Sequence, residues 1–513
     1  MSESRTKLSI KNSTVALGMY LINMFLQFFS RKIFLEYLGT EILGLNTTAT
    51  NLLQFLNLAE LGIGAAIAFS LYKPLFENNH DEISEILAVQ KWLYRRIAYL
   101  VIGGSLILMC FFPLIFEKMK LPMWYAFASY AVLLFSSLLS YFVNYKEVLL
   151  SADQKEYKIQ FSYRLVMMLK ICAQIFAISA FKNGYVWWLV LEFIFAIIGS
   201  WSINFVVKRT YPFLKECRIS YAVLKERHST IVTKIKQLFF HKIGSFVLSQ
   251  TSPLIIYAFA TLTTVALYGN YMMVINGCMW LIVAMFNSMA GGIGNLIASG
   301  DKEKIITVFN ELFSIRFVFI FSLSVVIYYS VPPFVKLWIG AEYLLDNGTL
   351  LFMVGIFYIM TSRLTVDAFV NGYGLYSDIW APVAEGAVNI GFSILLGSRY
   401  GLEGVVAGVF LSLFLSMFVW KPYFLFSRKL KGFYKVYLWQ YARHLIAAGI
   451  VIAGVAYLTS IYTVPDIDSY SKLILYSTVL GLICMGAITI LLVVFRCGVI
   501  QFFSRLKKLC IRN

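Results

Sequence analysis

Apolar residues run along this 513-residue chain in long stretches, each parted from the next by a short polar segment. A bilayer's hydrocarbon core is about 30 Å thick, so a spanning helix needs about 20 mostly apolar residues. By that measure the chain holds about fourteen such stretches, near residues 14–37, 43–72, 93–116, 122–145, 160–181, 185–207, 237–261, 264–298, 312–335, 349–373, 379–398, 402–426, 440–462 and 471–495. Backbone polar groups in lipid must be satisfied internally, which only helices and closed barrels achieve, and these runs are far too long for barrel strands. The pattern predicts an all-α polytopic membrane protein.

Composition agrees with the pattern. Hydrophobic residues make up 60% of the chain, charged residues only 14%, and mean hydropathy is +0.75, far from a soluble domain. A net charge of +18 would suggest nucleic acid for a soluble protein. Here its placement matters more. If the N-terminus is cytoplasmic, the inward segments 1–13, 73–96, 146–164, 208–236, 299–311, 372–378, 421–443 and 496–513 hold 32 of the 44 Lys and Arg residues. The positive-inside rule then predicts both termini in the cytoplasm, with the excess charge meeting anionic headgroups and no nucleic acid as partner. The polar, basic start MSESRTKLSIKNST is followed by no small-residue cleavage site, so the first span is expected to be retained. Seven cysteines without CxxC spacing read as small hydrophobes, with neither disulfide nor metal expected.

The longest inward segment, 208–236, follows six spans and carries the densest positive charge. It reads as a linker, which predicts an N-lobe over 1–236, a C-lobe over 237–436, and two further spans with a cytoplasmic tail over 437–513. The halves echo each other. AELGIGAAIAFS closes the second span and MAGGIGNLIASG the eighth, while LLSADQKEYKI and FVNGYGLYSDI follow the fourth and tenth at a constant offset of 220 (Ala152 to Gly372, Ile159 to Ile379). Both echoes fall at the same place in six-span units of one orientation, as in a parallel transporter repeat.

Polar residues inside spans mark a bundle interior or a water-filled cavity. At 100° per residue, Asn46, Thr50, Gln54, Asn57, Glu60 and Gly64 share about a third of the second helix's circumference. Tyr20, Asn23, Gln27, Ser30 and Arg31 form a stripe on the first helix, and His241, Ser245, Ser249 and Ser252 one on the seventh. Asn276 and Asn287 share a face of the eighth. One such stripe is equally well an interhelical hydrogen-bond seam. Four at repeat-related places favour a shared central cavity.

Charges at membrane depth cost at least ~2.5 kcal/mol each on insertion scales and need a reason to persist. Lys170 and Glu192, at similar depths on adjacent spans, can pair structurally; Arg363 and Asp367 can pair within one helix; Lys32 can snorkel to headgroups. Glu60 and Glu385 complete the buried set. Arg31 and Glu60 belong to polar stripes and are the best functional candidates. Guanidinium suits phosphate oxygens through its bidentate fork, and a carboxylate suits a proton or sodium ion.

At this point the chain resembles the Wzx-type lipid-linked oligosaccharide flippases of the MOP superfamily. The stretch RKIFLEYLGTEILGLNTTATNLLQFLNLAELGIGAAIAFSLYKPL (31–75) looks like that family's opening, and RYGLEGVVAGVFLS (399–412) like its eleventh-to-twelfth hairpin. The resemblance covers nearly the whole chain. It implies a V-shaped transporter of two six-helix lobes around a central cavity, in a bacterial inner membrane. The implied substrate is an undecaprenyl-pyrophosphate-linked oligosaccharide, turned to the outer face by alternating access for surface polysaccharide synthesis. It implies partnership with a polysaccharide polymerase and other export machinery. Cavity cations would hold the pyrophosphate, a role that falls on Arg31 with Lys32. The eighth span has no Arg or Lys, which leaves Arg363, or Lys242 beside His241, as the second-half cation. The Asn, Gln, Ser and Thr stripes would bind glycan. A proton or Na⁺ on Glu60 or Asp367, or the membrane potential acting on ligand charge, would drive the return, with no other cofactor.

An ion-coupled drug or metabolite exporter of the same superfamily is the nearest alternative. A membrane polymerase or acyltransferase is the alternative from another class. It fits less well, because the longest outer segments are 336–347 and 463–470, the DxD-like Asp466-Ile-Asp468 stands alone, and there is no GxxxxGK phosphate loop.

Overall fold

The computed structural model describes residues 5–512 except 61, 216–218, 220, 230, 232–234, 236–238, 240–250, 288–292, 294–295, 298–299, 376–377, 379 and 462–466. The long helices are α1 (Arg5–Leu56), α2 (Ile63–Glu77), α3 (His80–Cys110), α4 (Trp124–Phe142), α5 (Glu156–Ala180) and α6 (Gly184–Thr210). They continue as α7 (Leu262–Asn287), α8 (Lys302–Trp338), α9 (Asn347–Gly372), α10 (Trp380–Arg428), α11 (Tyr434–Ile461), α12 (Tyr470–Val494) and α13 (Val499–Arg512). No strand occurs among the described residues. Ten helices among those residues are long and apolar enough to cross a membrane. Two of the long elements are each two helices joined at a glycine. α1 turns at Gly39 (φ 80°) and α10 at Gly401 (φ 57°), both in the positive-φ region that side-chain-bearing residues avoid. The joint at Gly401 falls between the stretches 379–398 and 402–426.

One predicted helix is interrupted. The stretch 43–72 reads as a single span, but α1 ends at Leu56, a 3₁₀ turn covers Asn57–Glu60, and Gly62 (φ 91°) leads into α2. The 100° spacing that aligned Glu60 and Gly64 with Asn46 therefore stops at Leu56. The left-handed Gly62 sets a new helix direction that apolar periodicity does not record.

The chain divides into two compact units, 1–266 and 267–513. Within the first, α1 packs against α4 and α5, α6 against α4 and α5, and α3 against α2 and α4. Within the second, α8 is the central helix, with α9, α11, α12 and α13 packed around it. Its buried residues include Phe309, Phe313, Phe317, Phe321 and Val325, and two continuous apolar clusters surround them. Facing outward, α12 leaves Ile474, Leu475, Leu482, Ile490 and Val494 exposed, the mark of a surface made for lipid rather than water.

The hairpin inside α10 shows how small residues set this packing. A methyl group on Gly404 would overlap the Leu396 carbonyl, and one on Gly408 would lie 2.5 Å from the Ser393 amide nitrogen. The close approach is sealed by hydrogen bonds from Asn389 Nδ2 to Ser412 Oγ (3.1 Å) and from Ser393 Oγ to the Val405 carbonyl (3.2 Å). This is small-xxx-small packing, in which backbones meet because no side chain intervenes. Gly408→Val is expected to lower the thermal midpoint of the purified protein, at a cost of about 1–3 kcal/mol for overpacking. Gly391→Ala, where a methyl group meets nothing within 4 Å, provides the control. Equal melting of the two variants would refute this account of the hairpin.

Candidate functional site

The polar residues of α1 lie on two different sides of the helix. Leu21, Phe25 and Phe29 are exposed and recur at four-residue spacing. At 100° per residue Lys32 falls among them. It too is exposed, on what is a lipid-facing strip. On the opposite side Gln27 is exposed, with Asn23 and Arg31 half-buried beside it. Arg31 Nη2 donates to the Ala266 carbonyl at 3.3 Å. The two adjacent cations thus point in different directions, and only Arg31 shares the polar strip.

Past the Gly39 bend the polar residues are drawn into packing within the first unit. Asn46 is buried, and its Oδ1 accepts from Tyr185 OH at 3.1 Å; Tyr185 in turn meets Ser129. That chain ties α1, α6 and α4 together. Asn46 Nδ2 has no hydrogen-bond partner among the described residues. Thr50 Oγ1 donates back to the Asn46 carbonyl at 2.7 Å, and Gln54 is exposed. Asn57 Nδ2 donates to Ser137 Oγ at 3.2 Å. Glu60, on the 3₁₀ turn at the helix break, accepts from Tyr94 OH at 3.0 Å. Close by, outside the spans, burial pushes the Glu147 carboxyl up to about 7; Arg164 opposes the shift, and Glu156 and Glu60 add to it. Glu147, near the interrupted second helix, can therefore exchange a proton close to neutral pH.

Lys170 and Glu192 do pair, at 2.7 Å, across α5 and α6, and Gln174 Nε2 donates to the other carboxylate oxygen at 3.0 Å. In the second unit Arg363 Nε meets Asp367 Oδ2 at 2.8 Å, one turn apart, and Nη1 approaches Met417 Sδ at 3.1 Å. Met417 lies in a π-helical segment, Phe414–Trp420, a distortion often found at functional places in helices. A small cavity beside Arg363 is lined by Phe313, Ser362, Met417, Tyr437 and Tyr441 and holds about 10 Å³, room for roughly one water. Glu385 is buried with Oε1 lacking a hydrogen-bond partner among the described residues. Lys421 pairs with Asp378 at 3.2 Å.

Asn276 is half-buried on α7. Asn287 closes the same helix, but its side chain, like Ser245, Ser249, Lys242 and His241, lies outside the described residues. The structure thus gathers Asn23, Gln27 and Arg31 on one strip, uses Asn46, Thr50 and Asn57 as internal ties, and pairs Arg363 with Asp367.

Sequence reasoning passed over Arg316. It lies in α8 and is 3% exposed. Nη1 donates to Thr365 Oγ1 at 3.2 Å, Nη2 to the Phe286 carbonyl at 3.4 Å, and the guanidinium sits 4.8 Å over the Phe286 ring. Nε has no hydrogen-bond partner among the described residues, and no carboxylate there lies within salt-bridge distance. Among the described residues, the second unit therefore holds a half-buried cation balanced by Asp367 and a buried one met only by neutral groups. The signal was an arginine inside an otherwise apolar run, without the polar stripe that drew attention to Arg31.

With this arrangement in hand, the chain's fold matches that of known membrane proteins. The lipid II flippase MurJ in an inward closed conformation matches over 95% of this chain and 99% of its own, at a TM-score of 0.64 and 15% identity. An inward-facing multidrug resistance MATE family transporter of the MOP superfamily matches over 81% of this chain and 96% of its own, at 0.60 and 14% identity. No protein-family profile matches the sequence, and neither does any curated protein. The chain is an all-α polytopic membrane protein. Its fold is the one these MATE and MurJ structures share.

Proposed function

We propose that this protein is a flippase that carries undecaprenyl-pyrophosphate-linked oligosaccharide from the cytoplasmic to the outer face of a bacterial inner membrane. The observation that carries the reading is the polar strip of α1. It sets one arginine at membrane depth beside Gln27 and Asn23, on the side opposite the apolar strip. A guanidinium among amides suits a pyrophosphate joined to a sugar. A cationic drug would be repelled by it. The coverage favours the same side: the lipid II flippase fold accounts for 95% of this chain, the multidrug transporter fold for 81%.

In this reading Arg31 receives the pyrophosphate, and Asn23, Gln27 and Gln54 offer hydrogen bonds to glycan. Asn276 and the residues of the seventh span would serve the same purpose from the second half. Arg316 and Arg363 are the second-half cations, and Lys32 belongs with headgroups. The polyprenyl tail stays in lipid. Glu60 is the candidate for a coupling proton or Na⁺; Asp367 is engaged by Arg363 and fits that role less well. A polysaccharide polymerase on the outer side would take the product, and both termini would lie in the cytoplasm.

The test is reconstitution. Purified protein in proteoliposomes is expected to expose undecaprenyl-pyrophosphate-linked oligosaccharide to an external glycan-cleaving enzyme faster than empty liposomes do. If no movement occurs, and an ion gradient instead drives uptake of a small cation, the protein is an exporter and Glu60 becomes its leading site.

A further inference from the structure

The break in the second span has a second carboxylate beside it. Glu60 ends the 3₁₀ turn Asn57–Glu60, and Glu147 opens a short helix, Glu147–Ala152, that packs against α2 just past the break. Glu147 belongs to the segment 146–164, expected at the cytoplasmic face. The surroundings are rich in buried acceptors. Gln90 Oε1, one turn before Tyr94 on α3, and Asn144 Oδ1, three residues before Glu147, have no hydrogen-bond partner among the described residues. Those two residues are 1% and 5% exposed. Tyr141 meets the Tyr94 ring edge-on at 5.5 Å, and its hydroxyl faces Glu60 without a hydrogen bond among the described residues. Buried acceptors short of donors call for a proton-bearing group among them.

The two carboxylates are treated differently by their neighbours. Glu60 accepts from Tyr94 OH at 3.0 Å, a contact that favours a charged oxygen. Glu147 is half-buried and receives no hydrogen bond among the described residues. It feels Glu156 and Glu60 as like charges, with Arg164 acting against them. Tyr94 and Tyr163 lie within its electrostatic reach. Other charges on the elements around it are engaged or turned outward. Lys73 and Glu77 of α2 pair at 3.8 Å, Lys158 donates to Thr210 Oγ1 at 2.9 Å, and Lys146 lies 5.7 Å from the Tyr145 ring centre. On α6, Glu192 pairs with Lys170, and Lys208 and Arg209 are exposed. Of two nearby carboxylates in unequal surroundings, the one without donors takes the proton.

We propose that the coupling proton sits on Glu147, and that Glu60 is the fixed charge that senses its release. The step is a proton transfer alone: the Glu147 carboxyl gives H⁺ to water at the cytoplasmic face, leaving a carboxylate and a hydronium ion. The new carboxylate repels Glu60, which stands on the 3₁₀ turn two residues before left-handed Gly62. Irregular backbone of this kind is a joint that can bend, so the loss of one proton acts where the second span can change direction. Proton binding rests on the first unit alone; that the proton drives the return rests on the transport reading above.

The test separates these two. Full-length protein in nanodiscs is titrated by infrared spectroscopy with no glycolipid present. A carboxylic-acid band is expected to vanish with a midpoint near pH 7 in the parent and to be missing from Glu147→Gln. In Glu60→Gln the midpoint should fall, because removing a like charge eases ionisation. In Arg164→Gln, at an exposed position, it should rise, and this variant decides the matter if Glu147→Gln fails to fold. No band titrating near neutral pH, or a midpoint that ignores both Glu60 and Arg164, overturns the proposal whatever the protein carries. In proteoliposomes that translocate glycolipid, the protonated fraction of Glu147 changes about tenfold across two pH units centred on its midpoint, and the parent's rate should follow it. Glu147→Gln should lose that dependence. A pH profile unchanged in Glu147→Gln would overturn the coupling role.

Discussion

Arg31→Ala is expected to abolish glycolipid translocation in proteoliposomes while leaving the protein folded and inserted. A bidentate guanidinium–phosphate pair consists of two charge-assisted hydrogen bonds, each worth about 1.5–3 kcal/mol. Their combined loss amounts to a fall of about a hundredfold to ten-thousandfold in substrate engagement. The structural cost is smaller. The 3.3 Å bond from Arg31 to the Ala266 carbonyl is worth only about 0.5–1.5 kcal/mol, small beside the substrate contacts. Arg31→Lys keeps the charge without the fork and should fall between the two. Lys32→Ala is the decisive control. If translocation depended only on positive charge at this depth, the two adjacent cations would matter equally. Lys32 shares its side of the helix with Phe25 and Phe29, so its loss should leave transport near the parent rate. Normal export by Arg31→Ala, or equal loss from both variants, would remove Arg31 from the site.

What the sequence revealed, and what it withheld, follows from the range of the interactions. Apolar length found the spans because membrane thickness fixes it, residue by residue. The Arg363–Asp367 pair was visible because four-residue spacing places partners on one helix face. Lys170 with Glu192 was visible from depth, since two charges on adjacent spans at one level have few other ways to persist. The break between Leu56 and Ile63 was not visible, because Gly62 in a left-handed conformation looks like any other small residue in an apolar run. Arg316 was hidden for a different reason. Its partners, Thr365 and the Phe286 carbonyl, lie on other helices and carry no charge, so nothing near it in sequence marks the site.

The largest stability effect expected from a single substitution lies at Lys170 and Glu192. Their ion pair, at 2.7 Å, leaves 16% and 11% of the two side chains exposed, and Gln174 completes the carboxylate's hydrogen bonding. Glu192→Leu strands an ammonium group in the bilayer, and Lys170→Met strands a carboxylate with only a neutral amide for company. Breaking one side of a buried pair costs about 3–5 kcal/mol, because the remaining charge loses its compensation while staying desolvated. Each single variant is therefore expected to melt well below the parent and to express poorly. The double variant Lys170→Met/Glu192→Leu removes both charges and fills the space with apolar groups that lipid and α5–α6 packing accept. It should recover most of the loss, since replacing a buried pair as a whole is often neutral. The arrangement serves α5–α6 packing and not the α1 strip, so translocation per folded molecule should match the parent in the double variant. A double variant no more stable than the worse single would mean that the pair holds a specific geometry that apolar packing cannot replace. Single variants within about 1 kcal/mol of the parent would mean that water reaches these side chains and the membrane does not enclose them.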